Sequence, residues 1–180
     1  MRTNQIVCLL MIIGLMIGCA TVYDVKYDYD KQTDFDALKT YDWMDAPADA
    51  TLDTLTIERI KNAVDNELLA KGLKRSYDNP DFLIAEHTGS KEKVQVNDWG
   101  YSYSSYGRYR GGYWGPRNVT TYEYEEGWLI LDFVDAESKN LIWRGTAKAE
   151  VQNVDTPEKS ETLIKKAVEK ILEKYPPKAE

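Results

Sequence analysis

A chain of 180 residues with 43% apolar and 29% charged residues has the composition of one ordinary globular domain. It is too apolar for a disordered protein. The formal net charge is −7 and the isoelectric point is near 4.9. A nucleic-acid partner is therefore not expected, because its phosphate backbone would repel the chain as a whole.

The N-terminus has the three zones of a signal peptide. Arg2 supplies a positive charge, an apolar run of 12 residues extends from Ile6 to Ile17, and Gly18 stands just before Cys19. The run is shorter than the roughly 20 residues that a membrane-spanning helix needs, but it has the length of a signal-peptide core. We therefore expect residues 1–18 to be removed after export.

The segment 15–19, Leu-Met-Ile-Gly-Cys, resembles the lipobox of bacterial lipoproteins, with Met16 where that pattern most often has leucine. The resemblance implies cleavage before Cys19, a diacylglycerol thioether on its sulfur and an acyl group on the new amine. Several acyl chains together hold a protein stably at a bilayer. Residues 19–22 would then form a lipidated anchor. The alternative is a free thiol at the end of an uncleaved signal anchor.

Two further features bear on the compartment. Cys8 leaves with the signal peptide, so the mature chain has no pair of cysteines for an internal disulfide and must rely on packing. Ala20 follows Cys19, without an acidic cluster of the kind that resembles inner-membrane retention or surface-export signals. This favours the periplasmic face of an outer membrane.

Residues 23–180 are predicted to form a single domain that begins with a half-buried strand. Large and charged residues alternate there, which places the large ones on one face. That face would carry Tyr23, Val25, Tyr27 and Tyr29. A short second strand is predicted at 41–43, followed by a loop rich in Ala, Asp and Pro at 45–53.

Two amphipathic helices are predicted. Apolar residues at helical spacing begin after Thr54, and Gly72 can stop that helix. The second helix opens with Thr156 as its N-cap and Pro157 at its first position. The apolar positions are Ile57, Ile60, Val64 and Leu68 in the first helix, and Leu163, Ile164, Ala167, Val168, Ile171 and Leu172 in the second.

Most of the remaining chain is predicted to be strand. A turn at 79–81 leads into a strand that runs from Phe82 towards Val96, and residues 119–134 and 141–151 are predicted to form a hairpin around a polar turn. Mainly antiparallel strands with two amphipathic helices predict an α+β two-layer sandwich, with both helices packed on one face of the sheet. Trp43 and Trp143 are predicted to lie in its core.

Five segments in this order resemble the DUF4136 family, a domain of unknown function in predicted bacterial lipoproteins. The segments are 34–35 with 39–43, 79–82, 127–132 with Asp135, 141–145, and 175–177. The resemblance covers nearly all of the mature chain. It implies the same fold, a lipobox and a Tyr/Gly/Trp-rich insert before the central hairpin, and it implies no catalytic residues.

The sequence shows no convergent catalytic or metal-binding set, and no cofactor is expected. His87 is the only histidine, and with Glu86 beside it the chain still lacks the nitrogen and sulfur ligands that zinc requires. The absence of such a set favours a protein without catalytic activity. The alternative is an enzyme that acts on envelope glycan or lipid through carboxylates near the hairpin, namely Glu125, Asp132 or Asp135. Arg144 is a candidate ion-pair partner for Asp132 and Asp135.

One segment, 99–117, has an unusual composition. Its candidate ligand-binding residues are Trp99, Tyr101, Tyr103, Tyr106, Arg108, Tyr109, Arg110, Tyr113 and Trp114. Tyrosine, glycine, serine and arginine together are typical of adaptable recognition loops. Aromatic faces stack on sugar rings and arginine binds carboxylates, so peptidoglycan is a candidate ligand and another envelope protein an alternative partner. The other interpretation is a hairpin tip whose tyrosines cover neighbouring sheet.

The sequence thus predicts a periplasmic lipoprotein anchored in the outer membrane. It is expected to be a non-catalytic binding or structural module of the cell envelope.

Overall fold

The computed structural model describes residues 21–44, 53–98 and 119–178. The predicted signal peptide 1–18, the predicted lipidation site Cys19 and the aromatic segment 99–117 lie outside the described residues. In the described part, the elements follow one another as β1 (Val22–Tyr29), β2 (Thr40–Trp43), α1 (Thr54–Ala70), β3 (Lys74–Arg75), β4 (Phe82–Asp98), β5 (Val119–Asp135), β6 (Leu141–Glu150) and α2 (Pro157–Leu172).

The described strands form one sheet with the order β1-β6-β5-β4-β2-β3. Strands β1, β6, β5 and β4 pair antiparallel, whereas β2 runs parallel to both β4 and β3. Helices α1 and α2 contact each other and bury their apolar stripes against the sheet. The fold is the predicted α+β two-layer sandwich, with both helices on one face and the other face of the sheet uncovered by the described elements.

Both helices begin as predicted because their caps satisfy otherwise unpaired backbone N–H groups. The side chain of Asp53 accepts a hydrogen bond from the backbone nitrogen of Leu55 at 3.1 Å, and that of Thr156 accepts one from the backbone nitrogen of Lys159 at 3.3 Å. Gly72 follows α1 with a φ of 88°, a conformation that only glycine adopts readily.

The prediction of a single apolar face for β1 is wrong at its first tyrosine. Asp24 has a φ of 51° and the register shifts between Tyr23 and Lys26, which is a β-bulge. Because the bulge adds a residue, Tyr23 lies opposite Lys148 on the uncovered face, while Tyr27 and Tyr29 lie opposite Gly145 and Trp143 on the face that the helices cover.

The core is densest around aromatic residues at one end of the sheet. Rings of Phe82 and Phe133 lie 4.9 Å apart between centroids, and Phe133 lies 4.8 Å from both Trp143 and Tyr175. Trp43 is also buried, as predicted, and its Nε1 donates to Asp65 at 3.0 Å. Four of the five segments that carry the family resemblance contribute a ring to this core, namely Phe35 with Tyr41, Phe82, Trp143 and Tyr175, which identifies them as packing determinants.

Strands β4 and β5 form a hairpin that is longer than the rest of the sheet. They pair from Phe82 with Asp135 to Asp98 with Val119, whereas β6 ends opposite Glu126. The 7 pairs from Glu92 onward therefore extend about 23 Å beyond β6, at roughly 3.3 Å per residue. Residues 99–118 connect the two ends of this hairpin.

Candidate functional site

The candidate site is a cleft of about 410 Å³ between the two helices and the covered face of the sheet. Helix α1 contributes Ile57 and Ile60 to one wall, and α2 contributes Leu163, Ile164 and Ala167 to the other. The lining is therefore mainly apolar. Polar residues also line it, namely Asp53, Thr56, Thr88, Ser90, Glu125, Lys148 and Ser160.

The cleft exists because the floor of the sheet is made of small residues at this end. Gly127 pairs with Ala149 and Leu129 pairs with Ala147 on the covered face. Farther along the same strands, the corresponding positions are Phe133 and Trp143, whose rings fill the space under the helices. The same two layers are thus packed at one end and open at the other.

Gly127 cannot be replaced by a larger residue without moving a neighbour. A Cβ atom at this position would lie 2.6 Å from Cγ1 of Val151, well inside van der Waals contact. Val151 and Val154 follow β6 and line the cleft. This glycine therefore lets the chain after β6 lie close beside the floor of the cleft.

Strand β1 begins beside this cleft. Val22 is 3% exposed and pairs with Ala149 on the cleft floor. The ammonium of Lys170, on α2, donates a hydrogen bond to the carbonyl oxygen of Val22 at 3.0 Å. We call the end of the sheet at Val22, Ala149 and Gly127 the anchor end, because the predicted lipidation site Cys19 is 3 residues before Val22. The hairpin extends from this end.

The uncovered face of the sheet carries two charge clusters. In the first, Arg144 donates to the two carboxylate oxygens of Asp132 at 2.5 and 2.6 Å, which confirms the predicted pair. His87 Nε2 lies 3.4 Å from the same carboxylate. The planar fork of arginine matches a carboxylate, so this pair fixes β6 against β5.

The second cluster surrounds Glu126. Its carboxylate lies 2.8 Å from Nζ of Lys93 and accepts a hydrogen bond from the hydroxyl of Tyr23 at 2.9 Å. The hydrogen bond from Lys93 holds the pKa of Glu126 below its ordinary value, even though burial opposes the shift. Burial and the Glu126 hydrogen bond raise the pKa of the Tyr23 phenol. Glu126 is thus stabilised as an anion, which is the opposite of what a general acid needs.

The three carboxylates of the enzyme alternative are not brought together. Glu125 lies at the cleft, Asp132 lies on the opposite face with Arg144, and Asp135 ends β5. Asp135 does not pair with Arg144. Its carboxylate instead accepts from the backbone nitrogen and the hydroxyl of Ser138, both at 2.7 Å, and these bonds lower its pKa.

The described residues 21–44, 53–98 and 119–178 hold no group of three or more metal-ligating side chains. The side chain of His87 is 54% exposed on the uncovered face, so His87 is a surface histidine. Glu86 belongs to the covered face, where it lies 3.7 Å from Nζ of Lys61. Over the same ranges neither helix combines the length and the hydrophobicity that crossing a membrane would require.

The sequence interpretation missed the cleft. The signal available was the set of small residues at alternate positions, Gly127, Ala147 and Ala149, in strands that otherwise carry large core residues. Reading that signal requires the pairing of β5 with β6, which sets these residues side by side. The predicted ligand-binding residues of segment 99–117 and Cys19 lie outside the described residues.

Two solved structures are similar to this chain, and the first of them supports the fold. The chain is similar to a PDZ domain protein from Parabacteroides distasonis, with 13% identity and a TM-score of 0.55, over 89% of this chain and 37% of that one. The chain thus spans well under half the length of that protein. It is also similar to the PelC dodecamer from Paraburkholderia phytofirmans, with 13% identity and a TM-score of 0.46, over 84% of this chain and 95% of that one. No curated protein matches the sequence.

The family comparison covers nearly all of the described domain. The model of DUF4136, a domain of unknown function, matches residues 25–177, from within β1 to just beyond α2. The matched region includes all five segments that carry the resemblance, and they form the aromatic core and its neighbouring strands. The chain belongs to the DUF4136 family.

Proposed function

We propose that this protein is a non-catalytic binding module of the bacterial cell envelope, held at the periplasmic face of the outer membrane by lipid on Cys19. Its ligand is peptidoglycan, and segment 99–117 is its binding element. The observation that carries the proposal is the short distance, in residues, between the predicted lipid attachment and the folded sheet.

The sheet starts 3 residues after Cys19. An extended chain spans at most about 3.6 Å per residue, so the Cα atom of Cys19 lies within about 11 Å of that of Val22. Val22 is itself fixed by its pairing with Ala149 and by Lys170. A lipid on Cys19 would therefore hold the start of β1 close to the bilayer.

The hairpin supports the binding part of the proposal. Its strands end at Asp98 and Val119, so the aromatic segment connects two strands that pair with each other beyond β6. A paired hairpin is a stiffer support than a loop of the same length. Stacking of aromatic side chains on sugar rings and arginine contacts to peptide carboxylates would supply the affinity.

The non-catalytic part of the proposal is supported by how the described carboxylates are paired. Asp132 is paired with Arg144, Glu126 with Lys93, and Asp135 with Ser138. Each of these carboxylates accepts hydrogen bonds from a neighbouring side chain, and Glu125, Asp132 and Asp135 lie apart from one another. None of these features prepares a carboxylic acid for proton transfer.

Lipidation is tested by growing cells with labelled palmitate and comparing the native protein with Cys19→Ser. We expect label on the native protein and its recovery in outer-membrane fractions, and loss of both in the variant. Equal labelling of the two proteins would contradict the anchor.

Glycan binding is tested by sedimentation of the full-length lipidated protein with purified peptidoglycan. The comparison is a variant in which Tyr101, Tyr103 and Tyr106 are replaced by serine, which keeps the length of the segment. We expect the variant to be retained less than the native protein. Equal retention would contradict a role for the segment in glycan binding. Specific cross-linking to an envelope protein in intact cells would show that its partner is a protein and not peptidoglycan.

A further inference from the structure

We propose that the cleft at the anchor end binds one of the acyl chains carried by Cys19. This inference rests on the lipid anchor of the proposed function. It goes beyond that function because it assigns a ligand to the cleft and places one acyl chain in the protein instead of in the bilayer. The argument has three steps: the chemistry of the lining, the room in the cleft, and the reach of the chain.

The lining has the chemistry that a hydrocarbon chain requires. The walls and floor are formed by branched aliphatic side chains from α1 and α2 and by small residues of the sheet. Those that line the cleft are Ile57, Ile60, Leu129, Ala147, Ala149, Val151, Val154, Leu163, Ile164 and Ala167. Apolar surface exposed to water in such a cleft is stabilised by any apolar ligand that covers it.

The room in the cleft suits part of an acyl chain. A methylene group is about as large as a water molecule, whose share of liquid volume is about 30 Å³. A cleft of about 410 Å³ therefore accommodates on the order of a dozen carbon atoms. That corresponds to most of one fatty acid and leaves no room for a second chain.

The position of the N-terminal strand favours the chain on Cys19 over a lipid from the bilayer. Val22 lies opposite Ala149 on the cleft floor and is held by Lys170, so the last fixed point before Cys19 lies beside the cleft. A tether of 3 residues keeps the Cα atom of Cys19, whose side chain and amine carry the lipid, within about 11 Å of this point. A short tether gives its ligand an effective concentration in the millimolar range or above, with which a free lipid must compete.

An occupied cleft would have consequences for the anchor. A lipoprotein of this type carries several acyl chains, so the remaining chains still insert in the bilayer while one lies in the protein. The bound chain would hold the start of β1 close to the remaining chains. It would also cover the apolar walls that the described elements leave open.

The inference is tested by cross-linking in intact cells. Cells take up a palmitate analogue that carries a photoreactive group and an alkyne, and after irradiation the full-length protein is purified, digested and analysed by mass spectrometry. We expect an intramolecular cross-link between the peptide that contains Cys19 and peptides of α1 or α2 that contain Ile57, Leu163 or Ile164. Adducts of whole phospholipids at these residues, without a link to Cys19, would overturn the inference.

Two matched variants separate the cleft from the rest of the surface. Ala147→Leu fills the cleft from its floor, whereas Thr146→Leu adds the same side chain one residue earlier, on the uncovered face. We expect loss of the Cys19 cross-link in Ala147→Leu and its retention in Thr146→Leu, with both proteins folded by circular dichroism. If Ala147→Leu does not fold, Ile164→Phe blocks the cleft from the helix side.

The outcomes distinguish the inference from the proposed function. An acylated Cys19 without any cross-link to the cleft overturns the inference and leaves the lipid anchor in place. A Cys19 peptide without acyl groups overturns both. Equal cross-linking in native protein and Ala147→Leu would show that the chain lies elsewhere on the domain.

Discussion

Asp81 and Thr40 are joined by reciprocal hydrogen bonds between segments 41 residues apart in sequence. Oδ2 of Asp81 accepts from the backbone nitrogen of Thr40 at 2.8 Å and from its hydroxyl at 2.9 Å, and the backbone nitrogen of Asp81 donates to the carbonyl oxygen of Thr40 at 3.0 Å. The same carboxylate oxygen accepts from the backbone nitrogen of Lys39 at 2.8 Å. These bonds fix β2 beside β4 where the two parallel strands begin.

Replacing Asp81 by alanine should lower the free energy of unfolding by about 1–3 kcal/mol, because it leaves two backbone N–H groups and a hydroxyl without their acceptor. Chemical denaturation of the two proteins measures the difference. The control is Asp78→Ala, which removes an exposed carboxylate from the same connection and should change the stability by less than about 0.5 kcal/mol. Equal effects of the two substitutions would contradict the role of Asp81.

The contribution of Asp81 should depend on pH. Burial raises the pKa of its carboxyl, but the hydrogen bonds from Lys39 and Thr40 outweigh burial and hold the pKa below its ordinary value. A folded-state pKa below the unfolded value, about 3.9 for aspartate, stabilises the fold above that pH and loses this contribution as the pH falls through the folded pKa. The stability difference between native protein and Asp81→Ala should therefore shrink between pH 7 and pH values below about 4. A difference that grows on acidification would contradict this sign.

Gly145 should not tolerate a side chain. A Cβ atom there would lie 2.9 Å from Cζ3 of Trp143 and closer still to Cγ2 of Ile171, in a core where Trp143 and Ile171 are fully buried. We expect Gly145→Ala to cost about 1–3 kcal/mol through overpacking, measured as a lower midpoint of denaturation. Gly72→Ala is the comparison, since it meets no atom within 4 Å and is strained only by its φ of 88°. It should cost about 1–2 kcal/mol. Ile171→Ala should relieve only part of the loss in Gly145→Ala, because Trp143 still lies too close, and none of the loss in Gly72→Ala.

The two hydrogen bonds of the Arg144 guanidinium should contribute more to stability than its charge alone. Arg144→Ala leaves the Asp132 carboxylate, whose side chain is 8% exposed, with His87 as its remaining described ion-pair partner. We expect a loss of about 1–3 kcal/mol. Arg144→Lys keeps the charge but donates from one point and should recover only part of the loss. Thermal unfolding distinguishes the three proteins, and identical midpoints for native and lysine forms would show that the two-pronged geometry contributes nothing.

The helices and their ends could be predicted from sequence because their signals are local. Asp53 and Thr156 cap the helices that they precede, Gly72 ends the first, and the apolar stripe of the second is buried. The family segments were also visible in the sequence, and the burial of their Trp43 and Trp143 was predicted. Phe82, Phe133 and Trp143 pack in one core because β4, β5 and β6 are neighbours in the sheet. No single segment of the sequence specifies that order.

Features that depend on register could not be predicted in the same way. The bulge at Asp24 moves Tyr23 to the uncovered face, and alternation alone contains no sign of the added residue. The extent of β4 and β5 as one hairpin of 17 pairs follows from their pairing with each other. The cleft arises where Gly127 meets Ala149, so it is a property of two strands together.

The most direct test of the account is the mass of the N-terminal peptide of the native protein, extracted from its own membranes. We predict a chain that begins at Cys19, with a diacylglycerol thioether on the sulfur and a fatty acid on the amine. Cys19→Ser serves as the control and should lack both groups. A native peptide with an unmodified Cys19, or a chain that still begins at Met1, would contradict the claim that lipid holds this domain at a bilayer.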